Sequence, residues 1–134
     1  MPVIDTEVVF ALNPRDPKHR EALRVLREIP KLMVPDTVLL EFQAVLRSRG
    51  RTPSQVRKAL LALHQVLVQY GVREANTLST NLLVYQCELE EKYKLSYFDS
   101  LIATSAIMLD RQIVSDDEAF DRVPGLKRIP LSQV

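Results

Sequence analysis

Four carboxylates stand apart from the other acids of this chain. Asp5 follows the apolar pair Val3-Ile4, and Asp117 closes the run Ile113-Val114-Ser115-Asp116. Glu41 is the only charge between Asp36 and Arg47, and Asp99 the only one between Lys94 and Asp110. On a helix, Glu41 would neighbour Thr37, Val38, Ala44 and Val45. Asp99 lies in "YFDSLIATSAIML", apolar or small nearly all round and therefore expected to be buried. A buried, unpaired carboxylate is costly unless a cation compensates it.

Each acid taken alone has a local role to play. Asp99 is placed to complete a capping box opened by Ser96, Asp116 to cap the turn after it, and Asp5 to start an Asx-turn. None of these roles accounts for Glu41. Convergence of Asp5, Glu41, Asp99 and Asp117 on a divalent cation accounts for all four. Oxygen ligands alone suit Mg²⁺ or Mn²⁺, which bind through a few carboxylates and keep several waters. His19 and His64 have no ligand-like spacing, which speaks against zinc. Acidic sites of this kind commonly process phosphate esters, with the metal activating water.

The elements that must position these acids can be read from periodicity. Val3-Ile4 is a strand, 17–29 an amphipathic helix and 31–34 a second strand. Asp36 is the expected N-cap of a helix to about Ser48, ended by Gly50. Thr52-Pro53-Ser54-Gln55 is a capping box with proline at the first helical position, opening a helix to about Tyr70. A strand at 72–74, helices at 79–93 and from a Ser96 cap to Leu109, a strand at 113–115, a helical turn at 118–122 and a strand at 126–129 complete the chain. Short apolar strands alternating with helices predict a three-layer α/β/α sandwich around a short, mainly parallel sheet. Sites in such folds lie beyond the carboxyl ends of the strands, which is where Asp5 and Asp117 fall.

Composition limits the remaining classes. A chain of 134 residues, 46% hydrophobic and 26% charged, is expected to be a single domain, 1–134. The only cysteine, Cys87, cannot form an internal disulfide; a buried thiol in a reducing, cytoplasmic setting is the expectation. No apolar run is long enough for a membrane span, and the start lacks the basic residues of a signal peptide. The net charge of +1 hides a gradient: residues 1–70 carry 11 Lys/Arg against 7 Asp/Glu, and residues 71–134 carry 7 against 10. Arg47, Arg49, Arg51, Arg57 and Lys58 form a window without an acid, either a solvated helix corner or a phosphate-contacting patch.

Taken in order, four stretches resemble the motifs of PIN-domain nucleases, most closely the small single-domain VapC-type toxins. These are "VIDTEVVFALNPRDPKH", "VPDTVLLEFQAVL", "LSYFDSLIATSAI" and "IVSDDEAFDRVPGL". The resemblance spans nearly the whole chain. It implies that Asp5, Glu41, Asp99 and Asp117 are the metal-binding and catalytic acids, with the Ser115 hydroxyl steadying the site; Thr6 and Asp116 are expected in support, and Arg47, Arg49 and Arg51 of the basic window are the candidate RNA contacts. It further implies an Mg²⁺- or Mn²⁺-dependent endoribonuclease cutting single-stranded RNA to 5′-phosphate and 3′-hydroxyl ends, often a homodimer held by a cognate antitoxin. Glu7 departs from the family's usual asparagine or serine, and Asp116 occupies an often neutral position, so both add charge at the site.

Two other readings compete. A haloacid-dehalogenase-like phosphatase also uses an aspartate after its first strand, but it needs a second aspartate where this chain has Glu7. A PIN-fold module that binds RNA or protein without catalysis would keep the same fold and lack turnover.

Overall fold

The computed structural model describes residues 1–134. Five strands, β1 (Val3–Ile4), β2 (Met33–Pro35), β3 (Arg73–Ala75), β4 (Gln112–Val114) and β5 (Lys127–Ile129), form one sheet in the order β3-β2-β1-β4-β5. Every pairing is parallel, so the sheet is wholly rather than mainly so. Six helices surround it: α1 (Thr6–Phe10), α2 (His19–Glu28), α3 (Asp36–Ser48), α4 (Pro53–Gln69), α5 (Thr80–Tyr93) and α6 (Tyr97–Leu109). Short 3-10 turns at Glu118–Arg122 and Leu131–Gln133 complete the chain. No helix is long and apolar enough to cross a membrane.

Strand order reverses direction at β1, which leads outward to β2 on one side and lies beside β4 on the other. In parallel α/β sheets such a switch point opens a crevice at the carboxyl ends of the two strands. Here those ends are Asp5 and Ser115. Register brings them level: Val3 pairs with Ile113 and Ile4 with Val114, and the Asp5 N–H donates to the Val114 carbonyl at 3.1 Å.

The core forms around this central pair of strands. Val3, Ile4, Ile113, Val114, Ile102 and Phe120 are fully buried. Helix α6 is buried from Ser100 to Ala106 because its small residues let it pack closely between α5 and α3. Its apolar sequence therefore predicted burial correctly. The capping box at Thr52 and Gln55 forms as expected, with both reciprocal hydrogen bonds present.

Local expectations failed in three places. Helix α1 was not foreseen; five residues carry too little periodicity to reveal it, and it starts because Asp5 accepts the Thr6 N–H at 2.7 Å. Pro35, not Asp36, occupies the cap position of α3. The Asp36 carboxylate instead spans to the segment before α5, accepting from the Thr77 hydroxyl at 2.6 Å and from the Thr77 and Leu78 N–H groups. These hydrogen bonds overcome the effect of partial burial and hold Asp36 below the usual carboxylate range. Cys87 is exposed, since the buried stripe of α5 runs through Leu82, Gln86 and Leu89.

Candidate functional site

Asp5 is the deepest of the four acids, only 6% exposed. Its Oδ1 accepts the Thr6 N–H, and its Oδ2 accepts the Ser115 hydroxyl at 2.7 Å. The same Ser115 oxygen accepts the Asp117 N–H at 3.0 Å. A single hydroxyl thus ties the end of β1 to the segment leaving β4. Burial pushes Asp5 up to about 7, against the lowering effect of its hydrogen bonds, with the charges of Glu7 and Asp99 adding to the rise. No cationic side chain pairs with it. The Thr6 hydroxyl beside it is buried without a hydrogen-bond partner.

Asp99 enters from the first turn of α6. The Ser96 hydroxyl caps that helix by accepting the Asp99 N–H at 3.2 Å, and the reciprocal backbone bond of a capping box is not made. Partial burial and then the charge of Asp117 raise its pKa, with Glu41 contributing in the same direction and Arg122 opposing. Asp99 thus links the Asp5 side of the crevice to Asp117 and to Glu41 of α3. Exposure grows outward from buried Asp5, through half-buried Glu41 and Asp99, to exposed Asp117.

The cap expected of Asp116 is supplied by its neighbour instead. Asp117, not Asp116, caps the following turn, with its Oδ1 accepting the Ala119 N–H at 2.9 Å. Its second oxygen makes no hydrogen bond. Asp116 points away, accepting the Leu131 N–H at 3.0 Å and pairing with Lys18 at 2.7 Å. Lys18 also stands 3.8 Å from Glu7, whose carboxylate accepts the Asp116 N–H and lies 3.2 Å from the Ser115 hydroxyl. The two extra acids of this chain are therefore held by one lysine. Sequence spacing could not reveal Lys18, which lies 98 residues from Asp116.

This lysine is raised above its ordinary range chiefly by its hydrogen bond to Asp116, and Asp116 is correspondingly lowered despite its burial. The pair is partly exposed, with side-chain exposures of 42% and 29%. Solvent screening then limits its worth: Lys18→Met is expected to cost no more than about 1 kcal/mol of stability in urea denaturation. A loss of several kcal/mol would show that the lysine is structural in its own right.

The donor set fits a hard divalent cation. It is all oxygen, it contains a buried carboxylate with no paired cation, and it lies where a phosphate ester could approach from solvent. Asp5, Glu41, Asp99 and Asp117 are nevertheless not drawn together as expected: no three acidic, histidine or cysteine side chains stand close enough to one another to hold a metal ion.

Of the three arginines singled out in the sequence, all are exposed near the end of α3. Arg49 stands over the Phe10 ring at 5.1 Å, and Phe10 packs on Phe42 at 4.8 Å. They flank an apolar groove of about 500 Å³ between α1, α3 and α4, lined by Val9, Phe42, Leu46, Leu63 and Val66 among others.

Comparison with known proteins agrees with this architecture. The family model of the PIN domain matches residues 3–126. Among solved structures, the VapC20 toxin of Mycobacterium tuberculosis, described as cleaving the sarcin-ricin loop, superposes with a TM-score of 0.70 at 20% identity, over 90% of this chain and 93% of that one. VapBC2 from Rickettsia felis, bound to a promoter DNA fragment, gives 0.68 at 21% identity over 96% of each chain. A toxin-antitoxin complex from Klebsiella pneumoniae gives 0.70 at 18% identity over the full length of both. No curated protein sequence matches the chain.

Proposed function

From membership of the PIN domain family, to which this chain belongs, we propose that it is a divalent-metal-dependent endoribonuclease acting on single-stranded RNA, the toxin of a toxin-antitoxin pair. One observation carries the reading. A buried aspartate at the sheet's switch point shares the Ser115 hydroxyl with the backbone of Asp117, and no cation pairs with it. The phosphatase alternative lapses with the family assignment.

In this reading Asp5, Asp99 and Asp117 would hold Mg²⁺ or Mn²⁺, with Glu41 on the facing helix. When bound, such an ion supplies Lewis-acid activation of water and stabilises charge on the leaving oxygen. Ser115 fixes the Asp5 carboxylate, so that the deepest ligand needs no reorganisation. Glu41 orients the water that attacks phosphorus and accepts its proton, and the departing 3′ oxygen is protonated from solvent at the open side. The products are a 5′-phosphate and a 3′-hydroxyl.

The solved complexes of similar fold contain an antitoxin. An antitoxin helix with apolar side chains fits the groove between α1, α3 and α4, where it would lie beside the acidic crevice. Exposed Leu83, Val84 and Tyr85 on α5 offer a second apolar surface, suited to a homodimer.

The test is cleavage of a single-stranded oligoribonucleotide by purified protein with Mn²⁺, with and without chelator. Metal-dependent cleavage that disappears in Asp99→Asn supports the reading. A well-folded wild type that leaves the RNA intact makes the chain a binding module.

A further inference from the structure

Arg122 is a cation beside the acidic site with no carboxylate to pair with. It ends the turn that Asp117 opens, and that turn packs on α6, the helix carrying Asp99. Its Nη1 donates to the Lys94 carbonyl at 2.9 Å, where α5 ends in a left-handed residue. The guanidinium is thus tethered to backbone at one N–H, while its side chain stays exposed. Its charge reaches Asp99, yet none of the ion pairs in the protein includes it. Arg128 on the neighbouring strand shows the contrast: both prongs of its guanidinium are taken by Asp121, at 3.0 and 3.1 Å.

An RNA backbone approaching four carboxylates meets like charge, and something must hold it there. A guanidinium offers five donors in a planar fork that matches phosphate oxygens, and Arg122 has used only one. A tether already in place reduces the conformational freedom lost when the fork engages. We propose that Arg122 grips a backbone phosphate of the RNA beside the cleavage site, as a substrate-contacting residue. The assignment rests on the nuclease reading above. It adds an anchor on the α5–α6 side of the crevice, apart from Arg47, Arg49 and Arg51 at the end of α3.

The experiment is steady-state cleavage of a fluorescein-labelled single-stranded oligoribonucleotide by the full chain with Mn²⁺ at several KCl concentrations. Wild type is compared with Arg122→Gln, which retains a donor for the Lys94 carbonyl without charge, and Arg122→Lys, which retains charge without the fork. Loss of one phosphate contact should raise KM about 10-fold in Arg122→Gln, with kcat within about threefold, and should lower the slope of log KM against log salt by about 0.7. Arg122→Lys should keep the wild-type slope. If Arg122→Gln matches wild type in KM and slope, Arg122 is only a brace for the end of α5 and the proposal falls alone. If wild type itself cleaves no RNA, the proposal falls together with the nuclease reading.

Discussion

Asp5→Asn is expected to reduce Mn²⁺-dependent RNA cleavage by more than about 100-fold, because even the supporting partners of metal ligands cost 10–100-fold when removed. The same substitution should stabilise the metal-free protein at neutral pH. Burial lifts Asp5 from 3.8 to about 7 in the folded chain. Between those values the folded state binds a proton that the unfolded state has released, so stability falls as pH rises through that window. A shift of this size corresponds to on the order of 4 kcal/mol by pH 7. Asparagine keeps the shape and removes the titration. Urea denaturation from pH 4 to pH 8 in EDTA should therefore show the difference between Asp5→Asn and wild type growing with pH. Asp99, also raised, works in the same direction in both proteins. Asp36, Asp116 and Asp121 are lowered and oppose it, losing their stabilisation as pH falls through the ordinary carboxylate range. A difference that is flat across the window would mean that Asp5 is not held as a buried carboxylate.

Phe120→Ala is expected to destabilise the fold by about 3–5 kcal/mol. The ring is fully buried and belongs to the main core cluster. It also sits in the turn whose N-cap is Asp117, so the core holds that acid in place through Phe120. Phe120→Leu keeps most of the apolar volume and should cost less than about 1.5 kcal/mol. Chemical denaturation measures both. If Phe120→Leu retains stability yet weakens Mn²⁺ binding, the ring positions Asp117; if both variants are as stable as wild type, the turn is not anchored by this ring.

Much of this protein was legible before its structure. Helix α4 announced itself through Thr52, Pro53 and Gln55, because capping is a local exchange of hydrogen bonds within one turn. Helix α6 was legible through small and apolar residues broken only by Asp99, because burial on all sides from Ser100 to Ala106 leaves no polar face there. Helix α1 was not, since five residues complete little more than one turn. The exposure of Cys87 was hidden for a related reason: α5 mixes apolar residues on both faces, and which face is covered depends on α6.

The candidate acids were visible as charges out of place, and their order along the chain carried the likeness to a family that the PIN domain match then showed. Residue type and neighbourhood suffice for that, because an isolated carboxylate among apolar residues is anomalous wherever the chain folds. Their division of labour was not visible. Asp116 and Asp117 are adjacent and chemically identical, and only the placement of Lys18 and the Leu131 N–H decides that Asp116 turns toward them while Asp117 caps the turn. The pairing of Asp5 with Ser115 depends on parallel register between strands 110 residues apart in sequence. Sequence alone determines which groups are present and which local elements they start or interrupt. Tertiary structure decides which distant groups share a proton, a cation or a crevice, because those interactions require atoms within a few ångströms of one another.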